Sequence, residues 1–332
     1  MKQSVRVFGV LALAMAGCCG NRAAQHPNIP KPVVRTSSDK KQLATWSDGR
    51  IKKRILRFVA DVTTPGRPTY LPPSQRLAVF DLDGTVLCEK PEYIEVVLAL
   101  QRLKELARKD PRLASKQPYK AALANESTYI SKYVNTVLFT AFAGMRQKQF
   151  REHVLRFLKT TKHPWLNKPY IELYYRPMKE LIELLHKYKF RVYVSSTSMQ
   201  EYIRAFVPHV LGIPVQRIIG STIRSSLKEG ASGVITIIRS TGFDLPHNSD
   251  RGKVQNIWNR IGGRPIIAAG NSMGDSYMLR FTSQGPTSLV LVINHDDVAR
   301  EGYSYSKPKL LDLAKKSGWI VVGIKNTFRL VF

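Results

Sequence analysis

A four-residue apolar run that ends in a pair of carboxylates constrains this sequence more than any other feature. Leu77-Ala78-Val79-Phe80 leads directly into Asp81-Leu82-Asp83-Gly84-Thr85. A continuous apolar run closed by a turn signal reads as a strand buried on both faces, the usual state of a strand in a parallel sheet. Ligands of open parallel sheets bind outside the carboxyl ends of the strands. Asp81 and Asp83 therefore fall where chemistry is expected.

Similar runs recur at Arg191–Val194 before Ser195, Arg217–Gly220, Pro265–Ala269 before Gly270, and Ser288–Ile293; Trp319–Ile324 could add one more. The long stretch between the first two runs shows no strand signal. It carries apolar residues at helical spacing instead, as in Tyr93, Val96, Leu100, Leu103 and Ala107. Met178, Leu181, Ile182 and Leu185 repeat that spacing just before the second run. The expected fold is α/β: a doubly wound, Rossmann-like parallel sheet with a helical cap inserted after the first strand. Its core should comprise residues 46–88 and 178–332, and its cap residues 89–177. A helix is expected from Asp48 to about Val62, closed by Pro65, Pro68, Pro72 and Pro73.

Lys and Arg total 52 against 24 Asp and Glu, for a formal charge of +28. Such a surface attracts anions, more strongly at low salt. Nucleic acid is nevertheless not expected as a partner, because no zinc-finger spacing, RNA-binding aromatic motif or basic region with heptads is present. The three cysteines, Cys18, Cys19 and Cys88, form neither a metal spacing nor a disulfide framework. At the N-terminus, Lys2 and Arg6 precede an apolar run that ends in Met15-Ala16-Gly17-Cys18. This reads as a signal peptide over residues 1–17, too short to span a membrane as a helix. It looks like a lipoprotein signal with Cys18 as the lipidated residue. Residues 18–45, polar and proline-containing, are expected to form a flexible tether. The protein should then be exported and lipid-anchored to the cell envelope, at the outer membrane or its periplasmic face if there are two membranes.

The residues after each apolar run supply a coherent set of groups. Asp81 can attack phosphorus, and Asp83, two residues on, can act as general acid and then base. Gly84 permits the turn that brings backbone N–H groups of the Gly84-Thr85 segment toward phosphate oxygens. A hydroxyl in Ser195-Ser196-Thr197-Ser198 can bond phosphate; Ser196 is preferred and Ser195 is the alternative, while Ser198 reads as the cap of a following helix. Lys253 can neutralise phosphate and Asp81 together. Oxygens of Gly270-Asn271-Ser272-Met273-Gly274-Asp275 can hold Mg²⁺, which prefers hard oxygen ligands.

In order and setting these four pieces resemble the haloacid-dehalogenase superfamily, whose motifs are DxDGT, a Ser or Thr, a Lys and an acidic loop at four strand ends. AVFDLDGTVLCEKP over residues 78–91 and GNSMGDSYML over residues 270–279 resemble an exported bacterial subfamily in particular. Asn271 departs from the superfamily, which usually has Asp there; Leu82 replaces a frequent Asn, and Ser196-Thr197 replace a frequent Gly-Gly. The resemblance implies a Mg²⁺ site formed by Asp81, the Asp83 carbonyl, Asn271 and Asp275. Phosphate would be held by Gly84, Thr85, Ser196 and Lys253. The implied activity is hydrolysis of a small phosphorylated substrate through an aspartyl-phosphate. Asp83 argues against dehalogenation, because a halide leaving group needs no general acid. Glu89, Tyr93 and Trp165 could line the closure of the cap. The alternative is a catalytically weak surface lipoprotein of the same fold that binds polyanions, favoured by the charge and by Asn271.

Overall fold

The computed structural model describes residues 42–332. The expected signal peptide, the lipidation site Cys18 and most of the expected tether lie outside these residues. Among the described residues, no helix is long and apolar enough to cross a membrane. The tether was expected to extend to residue 45, but packing begins earlier. Leu43 is buried, and the Thr45 N–H and hydroxyl both donate to Glu180 Oε2, at 2.8 and 2.6 Å. An apolar side chain and a carboxylate partner hold this stretch to the body of the protein. Trp46 follows, fully buried, with Nε1 donating to the Pro177 carbonyl at 2.8 Å and its ring edge-on to Phe328. The helix Arg50–Thr63 turns Ile55, Val59 and Val62 inward.

Among the described residues there are eight strands: β1 (Leu77–Phe80), β2 (Arg191–Met199), β3 (Ile218–Ser221), β4 (Ile223–Glu229), β5 (Ile235–Phe243), β6 (Ile267–Gly270), β7 (Leu289–Asn294) and β8 (Ile320–Gly323). Six form one sheet in the order β3-β2-β1-β6-β7-β8. Every pairing in it is parallel. This is the doubly wound α/β sheet expected from the apolar runs. All four residues of β1 are buried, which is why its sequence does not alternate. Ala78 and Phe80 join one core with Ile182 and Leu185, while Leu77 and Val79 join the other with Ile257 and Met278.

From β1 the chain builds outward through β2 and β3, then returns to β6 on the other side of β1. The topological switch point, where such sheets bind ligands, lies between β1 and β6. The register puts Phe80 level with Val194 on one side and Ala269 on the other. The next residues, Asp81, Ser195 and Gly270, are therefore side by side at the carboxyl edge.

Between β1 and β2 the longer elements are helical: Ile94–Lys109, Val134–Phe142, Gln147–Thr160 and Arg176–Lys187. The last of these packs back on β2. An element absent from the sequence reading is the antiparallel hairpin β4–β5. Its base joins the helical region through the Gly144 N–H to the Arg239 carbonyl (2.8 Å) and the Arg239 N–H to the Met145 carbonyl (3.0 Å). The Arg239 guanidinium is buried 3.6 Å above the Phe150 ring.

Candidate active site

Asp81 leaves β1 with its N–H donating to the Ala269 carbonyl at 2.9 Å, so the β1–β6 ladder fixes its backbone. Its side chain is almost fully buried and has two partners. Lys253 Nζ donates to Oδ1 at 2.6 Å, and Thr85 Oγ1 donates to Oδ2 at 3.2 Å. Burial, then the charge of Asp275, pushes the Asp81 carboxyl well above the ordinary carboxylate range, and Lys253 pulls the other way. Lys253 lies on the helix Arg251–Ile261. Its ammonium also donates to Asp275 Oδ1 at 2.6 Å and to the Ser195 carbonyl at 2.9 Å. All three ammonium protons thus have acceptors. Burial disfavours the Lys253 charge, but Asp275 and Asp81 outweigh it and hold the ammonium above its usual range.

Asp83 is bonded by two hydroxyls: Ser198 Oγ at 2.9 Å and Ser196 Oγ at 3.1 Å, both on Oδ2. Burial raises its carboxyl to about 6, against the lowering effect of the Ser198 hydrogen bond. The β2–β3 register slips between Ser195 and Met199, and the residues in that interval include both serines that reach Asp83. Ser198 does not cap the following helix. Its hydroxyl is committed to Asp83, and the Met199 N–H donates instead to Glu95 Oε1 at 3.0 Å. Ser195, the alternative to Ser196, accepts through Oγ from Asn248 Nδ2 at 3.2 Å and is fully buried. Of the two adjacent serines, only Ser196 bonds a carboxylate of the DxD pair.

Gly84 could be no other residue in this arrangement. Its φ is +74°, and a Cβ there would lie 1.9 Å from Asn271 Nδ2 and 2.8 Å from Glu89 Cδ. The Gly84 carbonyl accepts from His295 Nε2 at 2.8 Å, so that nitrogen carries a proton. His295 Nδ1 faces Glu301 Oε1 at 2.8 Å, and Tyr175 donates to the same oxygen at 2.8 Å. This buried brace on the DxD turn escaped the sequence reading, because no motif marks His295 or Glu301.

The loop after β6 is organised by Asp275. Its Oδ2 accepts from the Asn271 N–H (3.1 Å), the Ser272 N–H (3.0 Å) and Ser272 Oγ (3.0 Å), while Oδ1 accepts from Lys253. Both carboxylate oxygens are occupied, so Asp275 shapes the loop and holds Lys253 in this geometry. Asn271 is different. Its Oδ1 accepts from Thr85 Oγ1 at 3.3 Å, and its Nδ2 donates to Tyr305 Oη at 2.9 Å and Glu89 Oε1 at 3.2 Å. Tyr305 also donates to Glu89. Of the residues expected to line a closure, Glu89 thus touches the motif loop. Tyr93 is half exposed, and its phenol is held above the usual range by burial and then by Glu89, Asp83 and Asp81. Trp165 packs near Tyr303 and is about half exposed.

Asp81 Oδ2 and Asn271 Oδ1 both accept from the Thr85 hydroxyl, so two hard oxygens of the kind Mg²⁺ prefers lie close together. Among the described residues no cluster of three or more His, Cys, Asp or Glu could hold a metal. A site here would therefore combine one carboxylate with the Asn271 amide oxygen, a backbone carbonyl and water, a set suited to Mg²⁺.

The haloacid dehalogenase-like hydrolase family profile matches residues 78–280, and the chain belongs to that family. No curated protein matches it. Among solved structures it is similar to a conserved protein of unknown function from Anaerococcus prevotii, at 16% identity and a TM-score of 0.52, covering 82% of this chain and 91% of that one. A phosphoserine phosphohydrolase-like protein from Francisella tularensis aligns at 17% identity and a TM-score of 0.38, covering 73% and 99%.

Proposed function

We propose that the protein hydrolyses phosphomonoesters through a phosphorylated Asp81. The observation that carries this reading is the division of roles between the two carboxylates. Asp81 is paired with Lys253 at the switch point, whereas Asp83 is held by two neutral hydroxyls and titrates near 6. A carboxyl near 6 can hold a proton for the leaving group and later accept one from water.

In the first step Asp81 attacks phosphorus and the bond to the alcohol oxygen breaks. That oxygen takes its proton from Asp83. In the second step Asp83 removes a proton from water, which attacks the phosphorus of the acyl phosphate; the bond from phosphorus to the Asp81 oxygen breaks, which regenerates Asp81 and releases inorganic phosphate. Lys253 and Ser196 would hold the transferring phosphoryl oxygens; the Gly84 and Thr85 N–H groups, expected from the sequence to do so, instead donate within the turn to the Leu87 and Leu82 carbonyls, at 2.7 and 3.1 Å. Asp81, Asn271 and the Asp83 carbonyl would hold Mg²⁺, with Asp275 ordering their loop. When bound, the ion supplies positive charge between Asp81 and the phosphate. The helices of residues 89–177, together with the β4–β5 hairpin, would act as a cap that excludes water.

The test is hydrolysis of 4-nitrophenyl phosphate with Mg²⁺ and with chelator. Turnover that requires Mg²⁺ and is lost in Asp81→Asn supports the reading; metal-independent turnover retained in Asp81→Asn contradicts it. We also propose that Cys18 bears a lipid that anchors the enzyme in the envelope, supported by the basic and apolar residues that precede it. An unmodified Cys18 in the mature protein, read by mass spectrometry, would refute that part.

A further inference from the structure

Lys90 and Tyr93, which follow the DxDGT turn, form a cationic group with Tyr305 and Lys307 at the rim of the candidate site. Lys90 Nζ lies 5.5 Å from the centroid of the Tyr305 ring and 6.0 Å from that of Tyr93. Lys307 Nζ lies 5.0 Å from the Tyr305 centroid. Tyr305 connects this group to the chemistry, since its hydroxyl bonds Asn271 and Glu89. Among the described residues, neither ammonium has a hydrogen-bonded acceptor or an ion pair in the structure. Holding a lysine between two rings costs rotamer entropy, which cation–π attraction offsets, but its N–H donors remain unspent.

Resting on the phosphomonoesterase reading, we propose that the alcohol portion of the substrate carries a second anionic group, a carboxylate or a phosphate, that is bound by Lys90 with Lys307 beside it. The ring faces point to charge rather than stacking as the means of recognition. Tyr305 already has His295 stacked on it, with centroids 4.5 Å apart, and both lysines lie near its ring. Tyr93 is taken by Lys90. A substrate ring therefore gains little platform here, whereas an anion finds unspent donors. Asp81, Asp83 and Glu89 repel an anionic substrate, and a cation at Lys90 adds to the Lys253 charge in offsetting them. Glu89 makes no ion pair with Lys90; its Oε1 is engaged by Tyr305 and by Asn271 Nδ2. The rings of Tyr93 and Tyr305 also restrict the Lys90 ammonium, which lowers the cost of ordering it on binding.

The test compares phenyl phosphate, 4-carboxyphenyl phosphate and 1,4-phenylene bisphosphate on the full protein and on Lys90→Met, Lys90→Arg and Lys307→Met. For the substrate that carries the correct second anion, the kcat/KM ratio to phenyl phosphate should fall by about tenfold or more in Lys90→Met and be partly kept in Lys90→Arg. Which ratio falls further tells carboxylate from phosphate. A parallel titration with methylphosphonate, phosphonoacetate and methylenebisphosphonate reads binding without turnover. There Lys90→Met should weaken the doubly anionic ligands selectively. If wild-type protein hydrolyses none of the aryl esters, the proposed reaction fails while the titration still decides the subsite. Equal losses for singly and doubly anionic compounds, or no loss for either, would overturn the subsite.

Discussion

Asp81 and Asp275 share one buried ammonium: Lys253 Nζ stands 2.6 Å from an oxygen of each. The lysine is the only cation bonded to either carboxylate among the described residues. Lys253→Met would strand two carboxylates in a dry site, and breaking a buried ion pair on one side typically costs about 3–5 kcal/mol. The expected loss is larger at pH 8 than at pH 5, because protonating the stranded acids relieves part of it. Urea unfolding of the metal-free variant at both pH values checks this; equal losses would argue against a charged triad.

Asn271→Asp changes a donor into an acceptor at a place where the structure needs the donor. Asn271 Nδ2 faces Glu89 Oε1 at 3.2 Å, so a carboxylate there meets another carboxylate. The metal-free variant should melt lower than wild type. Mg²⁺ should then raise its Tm by more than it raises that of wild type, because a charged ligand replaces an amide. Thermal melts with and without Mg²⁺ decide the point. An unchanged response to Mg²⁺ would remove Asn271 from the ligand set.

Glu95 is buried beside the catalytic strand end and titrates near 8, chiefly through desolvation. Its folded-state value lies above its unfolded one, so the native state binds the extra proton between about pH 4.5 and 8. Its contribution is complete at low pH and is lost as pH rises through 8. One such proton gives a slope of at most about 1.4 kcal/mol per pH unit. Glu95→Gln keeps an acceptor for the Met199 N–H and should flatten the fall in stability between about pH 4.5 and 8. A profile that does not change would show that Glu95 is ionised in the native protein.

Ser198 should tune Asp83, the general acid of the proposed mechanism. Its hydroxyl lowers the Asp83 carboxyl, so Ser198→Ala is expected to raise it further and to move the alkaline limb of the kcat profile to higher pH by up to about one unit. The effect should be clearest with alkyl phosphates, whose leaving oxygen needs the proton. A limb that stays in place or moves down would detach Ser198 from Asp83.

The sequence disclosed the parts of the fold that are dictated by burial. The strands of the main sheet are short apolar runs because helices cover both faces, and Asp81, Ser196, Lys253 and Asn271 follow or adjoin recognisable segments. The hairpin β4–β5 was not legible. Ile235 and Ile237 are exposed, and nearly all of β4 faces solvent, so no core imposes an alternation on Ile223–Glu229. By sequence Ser198 resembles a helix cap, because Ser before a helical stretch usually is one; only the tertiary approach of Asp83 gives it a different partner. The brace of His295 and Glu301 and the contact of Glu89 with Tyr305 join residues more than two hundred positions apart from the turn they serve, through a fold that composition and spacing do not display.

The central claim is that Asp81 becomes covalently phosphorylated. Rapid quench of the enzyme with excess ³²P-labelled aryl phosphate and Mg²⁺, followed by proteolysis and peptide mapping, tests it directly. Label on the peptide that contains Asp81, acid-stable but released by hydroxylamine and absent in Asp81→Asn, is the expected result; turnover with no trapped label, or label on a Ser or His peptide, would contradict the account.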